Sequence, residues 1–432
     1  MNTTDTTPRE GAARAAAAVH QNALAAPREA VTTAAHEGAG PLEAADRAAE
    51  KPHVSIRPAK KLGFGCMRLP HIGDDHAKID MPEFERMIDE FLGRGFNYFD
   101  TAWMYHEHMS ERAVGEALVA RHPRESFTLA TKMPLSELRE RGADEAEQTA
   151  TFNEQLCRLG TDYVDYYLAH NVNVNNYEVA KRLHTFEFIA EQKRTGRVRH
   201  MGFSFHDTAD LLDQILTEHP EVDFVQLQIN WLDWGSPTIQ SGKCYDVAVA
   251  HGVPVVVMEP IKGGTLANLP AAASRELLRM APDATPADLA IRYAASLDNV
   301  MCVLSGMSTP EQLDENARFM ADFQPIADAM RGAFVRAAHA MRAEQAIPCT
   351  SCRYCTRGCP KHIDIPTYFA AYNAFKRGQG AGHEQMYYRQ MVKRQPGPAD
   401  CIKCGRCETA CPQHIFVRDM LVEVDRALAA EG

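Results

Sequence analysis

The chain has no surplus of positive charge: 46 lysines and arginines stand against 57 aspartates and glutamates, a net charge of −11. A general nucleic-acid binder carries a basic patch or a high isoelectric point, so that class is excluded. No apolar run approaches the roughly 18 residues that a membrane-spanning helix needs. The opening residues, MNTTDTTPREGAARAAAAVHQNALAAP, lack the basic segment and apolar core of a secretory leader. Arg9, Arg14 and Arg28 among threonines faintly suggest a transit peptide, but Asp5, Glu10 and Glu29 dilute it. Residues 1–55 therefore read as a disordered or loosely helical, alanine-rich tail. A disulfide framework does not suit a chain of 432 residues either. A reducing cytoplasm fits the cysteines better.

Eight of the 12 cysteines fall in two runs of one spacing. Cys349, Cys352, Cys355 and Cys359 form C-x2-C-x2-C-x3-C before Pro360. Cys401, Cys404, Cys407 and Cys411 repeat it before Pro412. Paired CxxC elements can bind zinc, but a zinc ribbon separates its pairs by about 15–20 residues. The third and fourth cysteines, the trailing prolines and the duplication instead match the bacterial two-cluster ferredoxin pattern. In it, three thiolates of one run hold three corners of a [4Fe–4S] cube and the other run supplies the fourth. The expected sets are Cys349, Cys352, Cys355 and Cys411, and Cys401, Cys404, Cys407 and Cys359. Cys66, Cys157, Cys244 and Cys302 stand alone and read as small buried apolar residues.

Upstream, short apolar runs alternate with amphipathic helical patterns. The runs are 61–67, 96–102, 127–133, 163–170, 198–205, 224–230, 254–260 and 301–307. Gly95, Gly160, Gly196 and Gly252 sit just before strands, where helix-ending glycines belong. Eightfold strand–helix alternation predicts a closed parallel (β/α)8 TIM barrel over residues 56–325. Residues 326–432 then form a helical linker and a mostly helical two-cluster ferredoxin-like domain. Their long helical spacer resembles the alpha-helical ferredoxin type.

Active sites of such barrels lie at the C-terminal ends of the strands. There the second strand ends in Asp100 with Tyr105 beyond it, the third in Lys132 and the fourth in His170. A phenol with a free pKa near 10 is a poor acid at neutral pH. A neighbouring ammonium lowers that pKa, a carboxylate holds the ammonium, and an imidazole can orient a substrate oxygen. His106, Glu107 and His108 read as a solvated loop beside the mouth rather than a metal site.

The segments F-D-T-A-x-x-Y (99–105), S-E-R-A-V-G-E-A-L (110–118), A-T-K (130–132) and D-Y-Y-L-A-H (165–170) resemble the aldo-keto reductase family. So do G-F-S (202–204), Q-L-Q-I-N (226–230), M-E-P-I-K-G-G (258–264) and S-G-M-S-T-P-E-Q-L-D-E-N (305–316), in order. The whole chain is similar to a bacterial branch with a C-terminal [4Fe–4S] domain. The resemblance implies Tyr105 as general acid, Lys132 tuning it, Asp100 supporting Lys132, and His170 orienting a carbonyl. It implies NADP or NAD as hydride donor, held by Ser204, Gln226, Met258, Gly306, Ser308, Gln312, Glu315 and Asn316. Three positions depart from the family: Phe205 follows Ser204, Met258 stands where a stacking tyrosine is common, and no cation follows Gly306. Lys262 is an alternative phosphate contact, and NADP versus NAD stays open.

Nicotinamide moves two electrons as hydride while each cluster moves one, so a flavin or a partner protein would usually mediate. No flavin fingerprint is present. The expectation is a cytoplasmic oxidoreductase that reduces a carbonyl or oxidises an alcohol, with a redox partner protein. The alternative is an electron-transfer protein whose barrel docks a partner without carbonyl turnover.

Overall fold

The computed structural model describes residues 56–429, apart from 74, 345 and 377–382. The expected N-terminal tail lies outside the described residues. Every expected apolar run supplies a strand: β1 Leu62–Gly65, β2 Tyr98–Asp100, β3 Thr128–Met133, β4 Val164–Val172, β5 Val198–Phe205, β6 Phe224–Gln228, β7 Val255–Met258 and β8 Val300–Ser305. They pair in parallel and in order, and β1 closes on β8, giving an eight-stranded barrel. Parallel strands need a crossover, and the amphipathic segments provide it as helices outside the ring.

The barrel interior is filled by side chains. Tyr98, Tyr166, Leu168, Phe224, Val256, Met301 and Leu304 form one buried cluster. Gly63 is required in that layer, because a Cβ there would stand 2.8 Å from both Cys302 Sγ and Leu304 Cδ2. The second core lies between strands and outer helices, where Phe64, Phe91, Phe99 and Phe127 pack edge-to-face or stacked. Tyr166 donates to the carbonyl of Ile56 at 2.6 Å, tying the incoming chain to the barrel. Cys66, Cys244 and Cys302 are buried as expected, but Cys157 is exposed: it sits on the outer face of the helix Glu145–Leu159.

Residues 331–344, assigned by sequence to the linker, pack on the barrel. The helix Arg331–Glu344 lies against Ala271–Leu278. Its stripe Phe334, Ala337, Ala338 and Met341 recurs at three- and four-residue spacing and joins Trp231, Leu266 and Leu277 in one apolar cluster. The cysteine module follows. Its helices Ile365–Lys376, His383–Arg394 and Val417–Ala429 share a core of Ile363, Ile365, Tyr368, Phe369, Leu421 and Val424.

The two cysteine runs have the same backbone. Ser351, Arg353 and His362 have positive φ in the first run; Lys403, Gly405 and His414 have it in the second, at identical offsets from the leading cysteine. Each run closes in a one-turn helix, Tyr354–Arg357 and Arg406–Thr409. Left-handed residues are costly for most side chains, so their repetition marks a shape imposed on both runs. Part of what it achieves is visible at Ser351, whose N–H points at Cys349 Sγ at 3.4 Å.

Candidate active site

The C-terminal ends of β2, β3 and β4 bring Asp100, Lys132 and His170 together. Lys132 Nζ reaches Asp100 Oδ1 at 2.5 Å, the Thr101 carbonyl at 2.7 Å and Tyr105 Oη at 3.3 Å. Lys132 is fully buried. Behind it, Gln155 Nε2 donates to the Lys132 carbonyl at 3.0 Å and to buried Glu111 at 2.6 Å; Thr131 also donates to Glu111. Gln226, on β6, donates to the other oxygen of Asp100 at 3.0 Å. His170 lies within an irregularity in the β4–β5 ladder between Ala169 and Val172, where Asn171 has positive φ and its N–H is held by Ser204 Oγ at 2.8 Å. The bulge turns the imidazole into the mouth, where its ring stands edge-on to Tyr105 at 6.0 Å.

The tyrosine is placed by an unusual loop. His106, Glu107 and His108 all have positive φ. Non-glycine residues cost roughly 1–2 kcal/mol each there. Specific bonds hold them: His106 accepts from the Leu69 N–H at 2.9 Å and lies 2.7 Å from the His76 carbonyl, while His108 meets the Trp103 carbonyl and Arg357. His106 departs from the expected solvated loop, while Glu107 is exposed as that reading expects. His106 is buried and pins Tyr105 in place.

Electrostatics also differ from expectation. Burial, and next the charge of Asp100, push the Tyr105 pKa well up, against the lowering expected from Lys132 alone. Burial, then Lys132, push the His170 pKa well down, so its imidazole is neutral. Its Nδ1 has no hydrogen-bond partner among the described residues. A neutral phenol beside a neutral imidazole can donate a proton to, and orient, a substrate oxygen.

The cysteine module sits over this mouth. Arg68 pairs with Glu259 at 3.1 Å and donates to the Thr350 carbonyl at 3.2 Å. Gln413 enters beside β6 and β7, bonding Gln228 at 2.8 Å and Lys262 at 3.1 Å. What remains is an inner chamber of about 80 Å³ that includes Asp100, Tyr105, His170, Met258, Cys352 and Gln413 in its wall. An outer chamber of about 300 Å³ lies between the loops after β1 and β2 and the segment Ser351–Arg357. Tyr105, Arg68, Cys352 and Tyr354 line both. Sequence reasoning missed Arg68, Glu259, Tyr354 and Gln413. Glu259 lies inside a quoted motif, but nothing local marks the others, because their role arises from docking.

The residues assigned to a dinucleotide are engaged elsewhere. Lys262 is buried, its Nζ 2.7 Å from Asp233, and is no phosphate contact in this arrangement. A Cβ on Gly263 would come 2.4 Å from the Thr350 carbonyl, so module backbone lies directly on that loop. Gly306 faces the Arg68 stem. Ser308 uses its N–H on Gln312 and its hydroxyl on the Arg68 carbonyl. Glu315 accepts from Thr285, and Asn316 donates to Ser305 at 3.0 Å. Gln226, Met258 and Gly306 line the inner chamber, and Ser308 lines the outer one. The cysteine module and Arg68 thus occupy part of the rim that a nicotinamide dinucleotide would cross.

The cysteines do fit an iron–sulfur group. Cys359 of the first run lines one cavity with Cys401, Cys404 and Cys407 of the second. Burial pushes up the pKa values of Cys349, Cys352 and Cys355, that of Cys352 to about 12, and charge on Cys411 pushes all three further. Cys411 therefore stands with the opposite run. Among the described residues no three Cys, His, Asp or Glu side chains converge closely enough for a single ion. Ligands at the corners of a cube stand further apart than that.

A parallel barrel with a buried Lys–Asp pair, a tyrosine and a histidine at its strand ends, capped by a cysteine-rich module, defines an oxidoreductase with an iron–sulfur domain. The chain belongs to the aldo/keto reductase family, whose profile matches residues 61–331; a 4Fe-4S dicluster domain matches residues 348–416. An aldo-keto reductase of Mycobacterium avium (strain 104) is 31% identical over 58% of this chain and 80% of its own length. An uncharacterized oxidoreductase of Bacillus subtilis (strain 168), YqkF, is 25% identical over 59% of this chain and 85% of its own. Among solved structures, the holo form of the aldo-keto reductase AKR11C1 from Bacillus halodurans superposes with a TM-score of 0.52 at 26% identity. It covers 64% of this chain and 91% of that one.

Proposed function

We propose that this chain interconverts a carbonyl and an alcohol in the pocket at Tyr105, coupled to single-electron transfer through two [4Fe–4S] clusters. The observation that carries this reading is Lys132 bridging Asp100 and Tyr105 at the floor of a chamber that also holds His170. Tyr105, kept protonated by burial, donates its proton to the substrate oxygen. Lys132 holds the phenol from below and balances the phenolate left behind. Asp100 fixes the ammonium, and Gln226 fixes Asp100. Neutral His170 orients the oxygen. The outer chamber admits the substrate past Arg68 and Tyr354, while the cysteine module excludes bulk water from the rest of the mouth. The crossed cysteine sets named above would hold the clusters, which supply or accept electrons singly when bound.

Anaerobic carbonyl-reduction assays test this. Tyr105→Phe should lower turnover by about 10²–10⁴-fold, the usual worth of a general acid. Lys132→Met should act in the same direction. Full activity in Tyr105→Phe would refute the assignment. The alternative, a barrel that only docks an electron-transfer partner, draws support from the covered mouth; no turnover of any carbonyl by intact protein would favour it.

A further inference from the structure

We propose that the first cysteine run has taken the dinucleotide's place at the barrel mouth, so that the pocket at Tyr105 exchanges electrons with the cluster side of Cys352 and is reserved for conjugated carbonyls. The inference rests on the carbonyl reading above. Three observations carry it. Thr350 and Gln413 lie on the Gly263 loop and on Lys262, across the rim after β7. The residues of the β8 rim satisfy one another or Arg68. Cys352, a half-buried ligand candidate, lines the same chamber as Tyr105 and His170, with no secondary-structure element between them.

The module has a direction. Cys404 of the second run is exposed beside exposed Ile402, Lys403 and Arg406, whereas Cys352 faces inward. Electrons would enter at the run that holds exposed Cys404, from a low-potential one-electron carrier protein, and leave at the run that holds Cys352. The step balances as follows. The C=O π bond breaks, and O–H and C–H bonds form. The oxygen receives its proton from Tyr105, the carbon receives one from water in the outer chamber, and two electrons arrive one after the other from the Cys352 side, the second passed on from the outer set. The carbonyl is reduced and the carrier protein is oxidised. The potentials of such clusters have a lower limit, and an isolated ketone, which cannot delocalise the electron, is the harder carbonyl to load with one. A carbonyl joined to an aromatic ring or a double bond spreads that electron, which selects the substrate class.

The test uses anaerobic full-length protein with its clusters intact. Protein reduced with dithionite and then desalted is mixed with cinnamaldehyde, acetophenone or cyclohexanone, while visible cluster absorbance and product are followed. Calorimetry with NADPH and NADH runs beside it. Expected are a return of absorbance and product with a conjugated carbonyl, none with cyclohexanone, at least about 100-fold slower return in Tyr105→Phe, and no saturable heat with either dinucleotide. Saturable dinucleotide binding, or product formed from NADPH while the clusters stay oxidised, overturns the inference and leaves the carbonyl reading standing. Failure of both conjugated carbonyls to reoxidise the clusters also overturns it. Reoxidation with product that is indifferent to Tyr105→Phe overturns the assignment of Tyr105 and leaves the electron route standing.

Discussion

Replacing Lys262 by methionine separates two accounts of that residue. As a phosphate contact it would be a rim lysine, and its loss would weaken ligand binding with little effect on stability. In the structure it is 1% exposed, and its ammonium lies 2.7 and 2.9 Å from the two oxygens of Asp233 and 3.1 Å from Gln413. Removing one partner of a buried ion pair usually costs about 3–5 kcal/mol, because the other charge is left without compensation. Asp233 keeps hydrogen bonds from Gln228 and Asn230, each at 2.8 Å, which places the cost near the low end, about 3 kcal/mol. With an unfolding entropy of about 2.1 cal/mol/K per residue over roughly 370 residues, that is a fall of about 4 °C in Tm. Differential scanning calorimetry of anaerobic protein reads it directly. The double variant Lys262→Met with Asp233→Leu should recover most of the loss, since no buried charge is then orphaned. The cysteine module should also loosen in Lys262→Met, because Gln413 loses its ammonium donor, and clusters should bleach faster in air. An unchanged Tm would refute the buried-pair account.

Three further outcomes are expected. Cys359→Ser should remove the iron held with Cys401, Cys404 and Cys407, while Cys411→Ser should remove the other set; iron analysis with electron paramagnetic resonance distinguishes them, and loss of the like-numbered run in either variant would refute the crossed pairing. An unfolded histidine titrates near pH 6.5, whereas burial holds folded His170 lower, so its contribution is full above that pH and is lost as pH falls below it. At about pH 5.5 the loss is about 1.4 kcal/mol while the folded imidazole stays neutral, so urea midpoints should fall less between pH 7.5 and 5.5 in His170→Gln; equal pH sensitivity would refute this. Gly63→Ala should destabilise by about 1–3 kcal/mol through overpacking against Cys302 and Leu304, and an unperturbed unfolding midpoint would show that the interior can yield.

The barrel was legible because parallel strands buried on both faces read as apolar runs, and each of the eight runs forms its strand. Asp100, Lys132 and His170 were legible for a related reason: strand ends point to one mouth whatever the loops do. The dicluster domain was legible from the cysteine spacing alone. The docking of the module on the rim after β7 was not. Lys262 in the Lys-Gly-Gly loop looks solvated along the chain, and only the docking of a segment some 150 residues away buries it. Tyr105 failed in another way. The neighbouring cation was foreseen, but the burial that outweighs it is a property of the assembled mouth. The helix Arg331–Glu344 was visible as a helix; its apolar stripe does not say which body it covers.

The duplicated backbone of the two cysteine runs has a consequence for damage. Equal shapes are set in unequal surroundings: Cys404 is exposed, while Cys352 is half-buried and lines the inner chamber with Arg68 and Tyr354. Oxidants reach exposed thiolates and their iron first. On the crossed pairing, an air-exposed molecule would lose the outer cluster before the inner one. Its wreckage would then be a half-loaded protein with an intact pocket and no external supply, which is inert rather than leaking electrons to oxygen. Ageing in air would proceed in two stages, and the first would silence the molecule.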